Sequence, residues 1–289
     1  MKVLVTGAEG QLGKSLQATA KDFPHFTLLF KSRSELDITD ATAVEHCIQE
    51  QQIETVINCA AYTAVDLAEN EKERAHAINV VGVKNLVHAL ERVNGKLIHI
   101  STDYVFDGKA HSPYNETDQK NPQSVYGSTK SLGEDIVFQS QLEAIVVRTS
   151  WLFSPYGNNF VKTIIRLMRE RQSVSVVNDQ IGQPTYAPFL AKALLQLLNA
   201  QHPLSEKGKC YHYAQQCSCS WFEFAEEIQR LSPFSCAVLP IATEDFPTQA
   251  PRPQYSVLST AKIQTDFNLT MVSWQTALKA CMDALNLAI

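Results

Sequence analysis

Lys2-Val3-Leu4-Val5-Thr6-Gly7-Ala8-Glu9-Gly10-Gln11-Leu12-Gly13 is the stretch that decides the fold. A short apolar β-type run feeds directly into glycines spaced by three. Beyond them, Leu12, Leu16 and Ala20 fall at helical spacing within Gln11 to Lys21. Strand, glycine turn and helix in that order form a cradle for phosphate. Gly7 permits the tight turn, Gly10 lets backbone approach a pyrophosphate, and Gly13 allows close helix–strand packing. The N–H groups and positive end of the helix then face the anion. Glycines alone also fit a ligand-free strand–helix turn; their place between this strand and this helix favours nucleotide binding.

Working outward, Phe26 to Phe30, Glu54 to Asn58, Lys96 to Ser101 and Ala144 to Thr149 read as strands. Their near-continuous Val, Ile and Leu suit strands buried on both faces. Between them, Ala68 to Val93 carries one long helical pattern through Ala75, Ile78, Asn79, Gly82, Leu86, Val87 and Leu90. Phe160 to Arg171 and Pro188 to Asn199 read as further helices. The alternation predicts an α/β protein with a doubly wound parallel sheet. Beyond about Gln201 prolines cluster and regular alternation fades until the apolar tail Trp274 to Leu287. The expected division is a dinucleotide-binding domain over 1–150. A smaller mixed α/β domain over 151–289 would be mainly substrate-binding, with some segments returning to the first.

Composition limits the partners. The chain has 289 residues, with 25 Lys and Arg against 30 Asp and Glu, a net charge of −5. That balance argues against a broad nucleic-acid-binding surface. No uncharged apolar run reaches the roughly 18–20 residues that span a bilayer, so no membrane partner is expected. The first residues meet glycine too early for a signal peptide. Seven scattered cysteines do not form a disulfide framework in a chain this long. A reducing, cytoplasmic location is the expectation. Cys217-Ser218-Cys219 with His212 nearby lacks the two spaced ligand pairs of a zinc site, and no metal is expected.

Three further places carry chemistry. After the second strand, where an acidic residue grips the ribose of NAD, stands Lys31-Ser32-Arg33-Ser34. Lys31 or Arg33 would meet a 2′-phosphate, which favours NADPH, with NADH as the alternative. Asp37 is a candidate contact for the adenine end. Tyr126 and Lys130 lie four apart on one helical face. A phenol ionises near ~10, and an adjacent ammonium, with the charge of an oxidised nicotinamide, would bring it into range for proton transfer. Ser101 and Thr102 sit where a parallel strand leaves the sheet at its carboxyl edge. Either hydroxyl there can donate to a substrate carbonyl.

Together these features resemble the extended short-chain dehydrogenase/reductase superfamily, whose fold is Rossmann-like. The match narrows over Asn58 to Asp66, Ser101 to Gly108, Arg148 to Phe153, Asn159 to Val161, Asp179 to Thr185 and Arg252-Pro253. These segments look like the dTDP-4-dehydrorhamnose reductase family. The resemblance implies reduction of the 4-keto group of a dTDP-linked 6-deoxy sugar by NADPH or NADH, by a monomer or homodimer.

By the same resemblance Thr102, rather than Ser101, joins Tyr126 and Lys130 as the catalytic set. Gly7, Gly10, Gln11 and Leu12 would lie on the pyrophosphate, Asp37 and Ile38 on the adenine, and Ala60, Ala61 and Thr63 along the cofactor. Lys130 would also hold the nicotinamide ribose beside Tyr126. Tyr104 and Trp151 would face the sugar and Arg252 the diphosphate. Cys59 and Tyr62 depart from the usual alanine and histidine, and Cys59 reads as a buried filler. A dehydratase would need a Glu where Tyr104 stands. An epimerase, which returns its hydride, and a non-catalytic subunit like the methionine adenosyltransferase β subunit remain as alternatives.

Overall fold

Strand β1 (Lys2–Thr6) has Val3, Leu4, Val5 and Thr6 withdrawn from solvent, as a strand covered on both faces requires. Val3 and Val5 point into one apolar core and Leu4 into another; that is the two-residue period of a pleated strand. The computed structural model describes residues 1–199 and 209–287. The change of texture expected near Gln201 falls on residues 200–208, outside the described residues.

After the glycine turn come α1 (Gln11–Thr19), β2 (Thr27–Lys31), α2 (Ala41–Glu50) and β3 (Thr55–Asn58). Helices α3 (Val65–Ala68), α4 (Lys72–His76) and α5 (Gly82–Glu91) lead to β4 (Lys96–Thr102), α6 (Val125–Gln139) and β5 (Glu143–Thr149). The next elements are β6 (Leu152–Phe153), α7 (Phe160–Glu170), β7 (Ser173–Val177), β8 (Ile181–Gly182), β9 (Thr185–Tyr186) and α8 (Ala187–Asn199). Strands β10 (Lys209–Tyr213) and β11 (Cys219–Ser220), helix α9 (Trp221–Arg230), β12 (Ala237–Ile241), α10 (Ala261–Phe267) and α11 (Trp274–Ala284) complete the order.

Six strands form one parallel sheet in the order β10-β5-β4-β3-β1-β2. The order in which strands are added reverses between β1 and β3, and the glycine turn and the end of β3 therefore border one crevice. Helices α1 and α8 pack together over the face reached by Val3, Val5, Ile57 and Ile98. Helices α2, α5 and α6 cover the other face, where Val44, Ile48, Leu86 and Leu90 meet Leu4, Val56 and Leu97. Fully burying each such side chain is worth ~1.5–3 kcal/mol. A third core, built from Phe153, Val161, Ile165, Phe224, Trp274 and Leu278, supports a smaller lobe beside the carboxyl edge of the sheet.

Two expectations change. The single helix over Ala68 to Val93 is divided: α3 stands apart, and α4 and α5 are joined through a π-helical segment, Ala77–Val81. The extra residue per turn swings Asn79 inward. Its amide accepts from Tyr62 N–H at 2.9 Å and donates to Tyr62 carbonyl and Thr129 hydroxyl at 3.1 and 3.0 Å. Second, β10 is a strand of the main sheet, read beforehand as irregular; its Tyr211 and Tyr213 are buried beside β5. Tyrosine and histidine in place of Val and Ile hid it. Among the described residues no helix is long and apolar enough to cross a membrane.

Candidate active site

The glycine turn builds one end of a cavity of about 880 Å3 that runs along the carboxyl edge of the sheet. Gly7 has φ of +64°, and a Cβ there would stand 2.7 Å from Ala60 N and 2.8 Å from Cys59 carbonyl. Only glycine takes that backbone and closes the crevice against β3. Gly13 serves differently from the helix–strand packing expected of it: its missing Cβ makes room for the turn itself, Gly7 O at 2.4 Å and Ala8 Cα at 2.6 Å. Helices α2, α6, α7, α9 and α11 begin with a side-chain cap. Helix α1 begins at Gly10 without one, so its first N–H groups are left to the cavity.

Beyond the turn, Arg33, Asp37 and Ile38 line the cavity, whereas Lys31 is not among its lining residues. Arg33 stands 3.5 Å from Asp37, whose carboxyl is held below its usual range chiefly by hydrogen bonds from Thr39. Arg74, which carried no sequence pattern, also lines this wall. Ala60, Ala61 and Thr63 follow β3 along the cavity, and Gln11 and Leu12 line it from the start of α1. The Gln11 side chain itself binds the smaller lobe: it donates to Leu152 carbonyl at 3.2 Å and accepts from Ser154 and Asn159 at 2.9 Å.

At the centre the structure brings Thr102, Tyr126 and Lys130 onto one wall. Thr102 leaves the end of β4; Tyr126 and Lys130 project from successive turns of α6, which Ser124 caps through Gly127 N–H at 3.1 Å. Gly127 lets α6 approach closely, since a Cβ there would overlap Tyr104 carbonyl. Lys130 Nζ donates to Ile100 carbonyl at 2.6 Å. Burial lowers this lysine to about 8.

Burial also pushes the Tyr126 phenol up to about 12; a hydrogen bond with Thr102 pulls it down and the charge of Asp103 adds to the rise. The phenol is thus held protonated in the free protein; the lowering expected from Lys130 with an oxidised nicotinamide concerns the cofactor-bound site. Thr102 donates its hydroxyl to Asp103 at 2.9 Å, and burial raises that carboxyl to about 6 against the hydrogen bonds it accepts. The Cys59 thiol, also on the cavity wall, is raised to about 12 by burial and stays a thiol.

Tyr104 packs edge-on against Tyr126, ring centroids 5.5 Å apart. Trp151, just past β5, adopts φ of +45°, a strained backbone for a bulky residue. The strain aims its indole into the cavity, flat against Trp221 at 3.4 Å and 8°. Gly182 backs the ring, for a Cβ there would stand 2.4 Å from it. Sequence reading missed Trp221 because it lies at the start of α9 in the irregular half; its aromatic bulk beside a capping serine was the available clue. Arg252 does not line the main cavity. It pairs with Asp66 and borders a second cavity of about 280 Å3, which meets the first at Tyr104.

A dinucleotide-sized cleft at the switch of a parallel sheet, with Thr, Tyr and Lys at its centre, defines an oxidoreductase of the extended short-chain dehydrogenase/reductase class. The family model described as the RmlD substrate binding domain matches residues 1–287. The chain belongs to that family. It is 42% identical to the dTDP-4-dehydrorhamnose reductase of Aggregatibacter actinomycetemcomitans, over 96% of this chain and 97% of that one. It is 38% identical to the spore coat polysaccharide biosynthesis protein SpsK of Bacillus subtilis, over 96% and 95%. Among solved structures, dTDP-4-dehydrorhamnose reductase from Bacillus anthracis in complex with NADP superposes with a TM-score of 0.93, at 40% identity over 98% of this chain and 99% of that one. A UDP-glucose 4-epimerase from Thermus thermophilus at 18% identity and TM-score 0.84 shares the fold.

Proposed function

We propose that this chain reduces dTDP-4-dehydro-L-rhamnose to dTDP-L-rhamnose with NADPH, NADH being the weaker alternative, for cell-surface polysaccharide synthesis in the cytoplasm. The observation that carries the reading is the convergence of Thr102, Tyr126 and Lys130 on the same cavity as the open end of α1. The residues present fit the dinucleotide: a notional Cβ at Gly10 meets only Gly7 O, at 3.3 Å, so a pyrophosphate can come close to the backbone at the uncapped start of α1. Gly7, Gly10, Gln11 and Leu12 would hold that group, Arg33 the adenosine end with Asp37 and Ile38, and Lys130 the nicotinamide ribose. Bound NADPH supplies the hydride.

The chain's own groups handle the proton. Tyr126, held neutral by burial, is already in the form that can donate its phenolic proton to the carbonyl oxygen as negative charge grows there. Thr102 adds a second donor once its hydroxyl turns from Asp103 toward the substrate. Lys130 offers a positive charge one helical turn from the phenol, which favours the phenolate left after transfer. Tyr104, Trp151 and Arg252 are assigned to the sugar and diphosphate, and residues beyond about 150 mainly to substrate choice. An assay offering dTDP-4-keto-6-deoxy-L-mannose, generated in place, with NADPH and then NADH tests this. Stoichiometric loss of reduced-nicotinamide absorbance is expected; no loss with either cofactor refutes it.

A further inference from the structure

Behind Lys130 lies a buried polar chain that proton donation does not use. Thr6, at the end of β1, donates its hydroxyl to Asn58 Oδ1 at 2.7 Å. Asn58 Nδ2 lies 3.1 Å from His99 Nδ1, and His99 Nε2 lies 3.5 Å from Lys130 Nζ. All four side chains are buried. The backbone fixes the orientation of the Asn58 amide, because Ala60 N–H points at Asn58 Oδ1 at 3.2 Å and at Thr6 Oγ1 at 3.3 Å. An N–H needs an acceptor, so the amide oxygen must face Ala60 and the NH2 must face His99. An NH2 only donates; Nδ1 of His99 therefore accepts, and the neutral ring carries its proton on Nε2. Burial, with the charge of Lys130, keeps the ring neutral.

His99 thus aims an N–H, rather than a lone pair, at an ammonium that has no acceptor of its own. The 3.5 Å separation is long for a bond, and the firm partner of Nζ is Ile100 carbonyl at 2.6 Å. We infer that His99, its tautomer set by Asn58 and Ala60, is a positioning residue that offers Lys130 Nζ no acceptor, leaves it on Ile100 carbonyl and favours release of its proton. The inference rests on reading Lys130 as part of the catalytic set. The other groups that face Nζ are Glu134 on its own helix, whose charge favours the ammonium, and the Cys59 thiol beyond β3. Tyr126 stands one turn back on α6. Burial opposes the charged form, and His99 faces Nζ from β4 at 3.5 Å.

The test uses the full chain without cofactor, followed by NMR of ring 15N in labelled histidine and of Cε in labelled lysine. Expected is an Nε2-protonated, Nδ1-bare ring at neutral pH. His99→Phe, which removes the N–H and keeps a ring, should raise the Lys130 midpoint by about one unit, a tenfold change in its dissociation constant. Asn58→Asp puts an acceptor against Nδ1 and should move the ring proton there, again raising the lysine midpoint. An Nδ1-protonated or doubly protonated ring in the unmutated chain overturns the inference. So does a Lys130 midpoint unmoved in whichever variant folds. Turnover of Lys130→Met examines the catalytic reading separately, since the spectra do not depend on it.

Discussion

Gly13→Ala sets two effects against each other. Gly13 lies inside α1 with ordinary helical neighbours, and helix propensity alone predicts that alanine stabilises it by ~1 kcal/mol. Sterics predict the reverse. The new methyl would stand 2.4 Å from Gly7 O, 2.6 Å from Ala8 Cα and 2.7 Å from Ala8 C. All three are backbone atoms of a turn already held at positive φ and pressed against Ala60, so no side chain can rotate away. Overpacking of this kind costs ~1–3 kcal/mol, and the rigidity of the turn puts the cost at the upper end. The net expectation is a loss of about 2 kcal/mol, or a Tm lower by roughly 4–8 °C. Because the displaced atoms are those of the cradle, NADPH binding weakens as well. Gly10→Ala is the comparison: its methyl meets only Gly7 O, at 3.3 Å, so stability stays within about 0.5 kcal/mol. Urea denaturation and NADPH fluorescence titration of both variants decide the matter. A Gly13→Ala protein as stable as the parent, or more so, would show that the turn is soft and that propensity wins.

Tyr126→Phe should lower kcat by ~10²–10⁴-fold while NADPH still binds; unchanged turnover would remove the phenol from the chemistry. Lys130 separates activity from stability. Its folded value near 8 lies below the ordinary 10.5, so between those pH values the unfolded chain holds more protons and stability from this group rises with pH. Over the same window the ammonium is lost from the site and kcat/KM should fall; pH profiles of turnover and of urea midpoint that move together would contradict this. Arg148 donates twice to Glu134 at 2.8 Å with both side chains buried. Glu134→Gln leaves an uncompensated charge there and should cost ~3–5 kcal/mol in chemical denaturation. Gly182→Ala pushes a methyl into Trp151 and should raise KM for the sugar nucleotide with little change in NADPH affinity. A parental KM would place the indole away from the sugar.

The sheet was legible because its strands are nearly pure Val, Ile and Leu, and such runs have one use in a chain this size. β10 escaped notice because Tyr211, His212 and Tyr213 achieve the same burial by partnering their polar atoms. His212 lies 3.2 Å from Tyr114 carbonyl and 3.3 Å from Arg148, an arrangement no periodicity reveals. The helix over 68–93 was legible as helix, but the π segment was not, since a single extra residue per turn is visible only through what Asn79 grips. For the site, the glycine triplet and the Tyr–Lys spacing are local and could be read. Arg74 could not, and Trp221 offered only its aromatic bulk beside a capping serine, because their membership depends on how the α4 segment and the lobe fold back over the sheet edge.

The same distinction bears on the protonation of Tyr126 in the free chain. A four-residue spacing says that an ammonium is near a phenol; it does not say how much water each has lost. Here both are buried, and desolvation disfavours the charged form of each, lowering the lysine to about 8 while raising the phenol to about 12. The free site therefore holds a proton donor ready-made, and a reductase needs a donor. The balance shifts only as charge appears on the substrate oxygen. The stabilising charge of Lys130 then matters in the transition state more than in the ground state, which is where it accelerates the reaction.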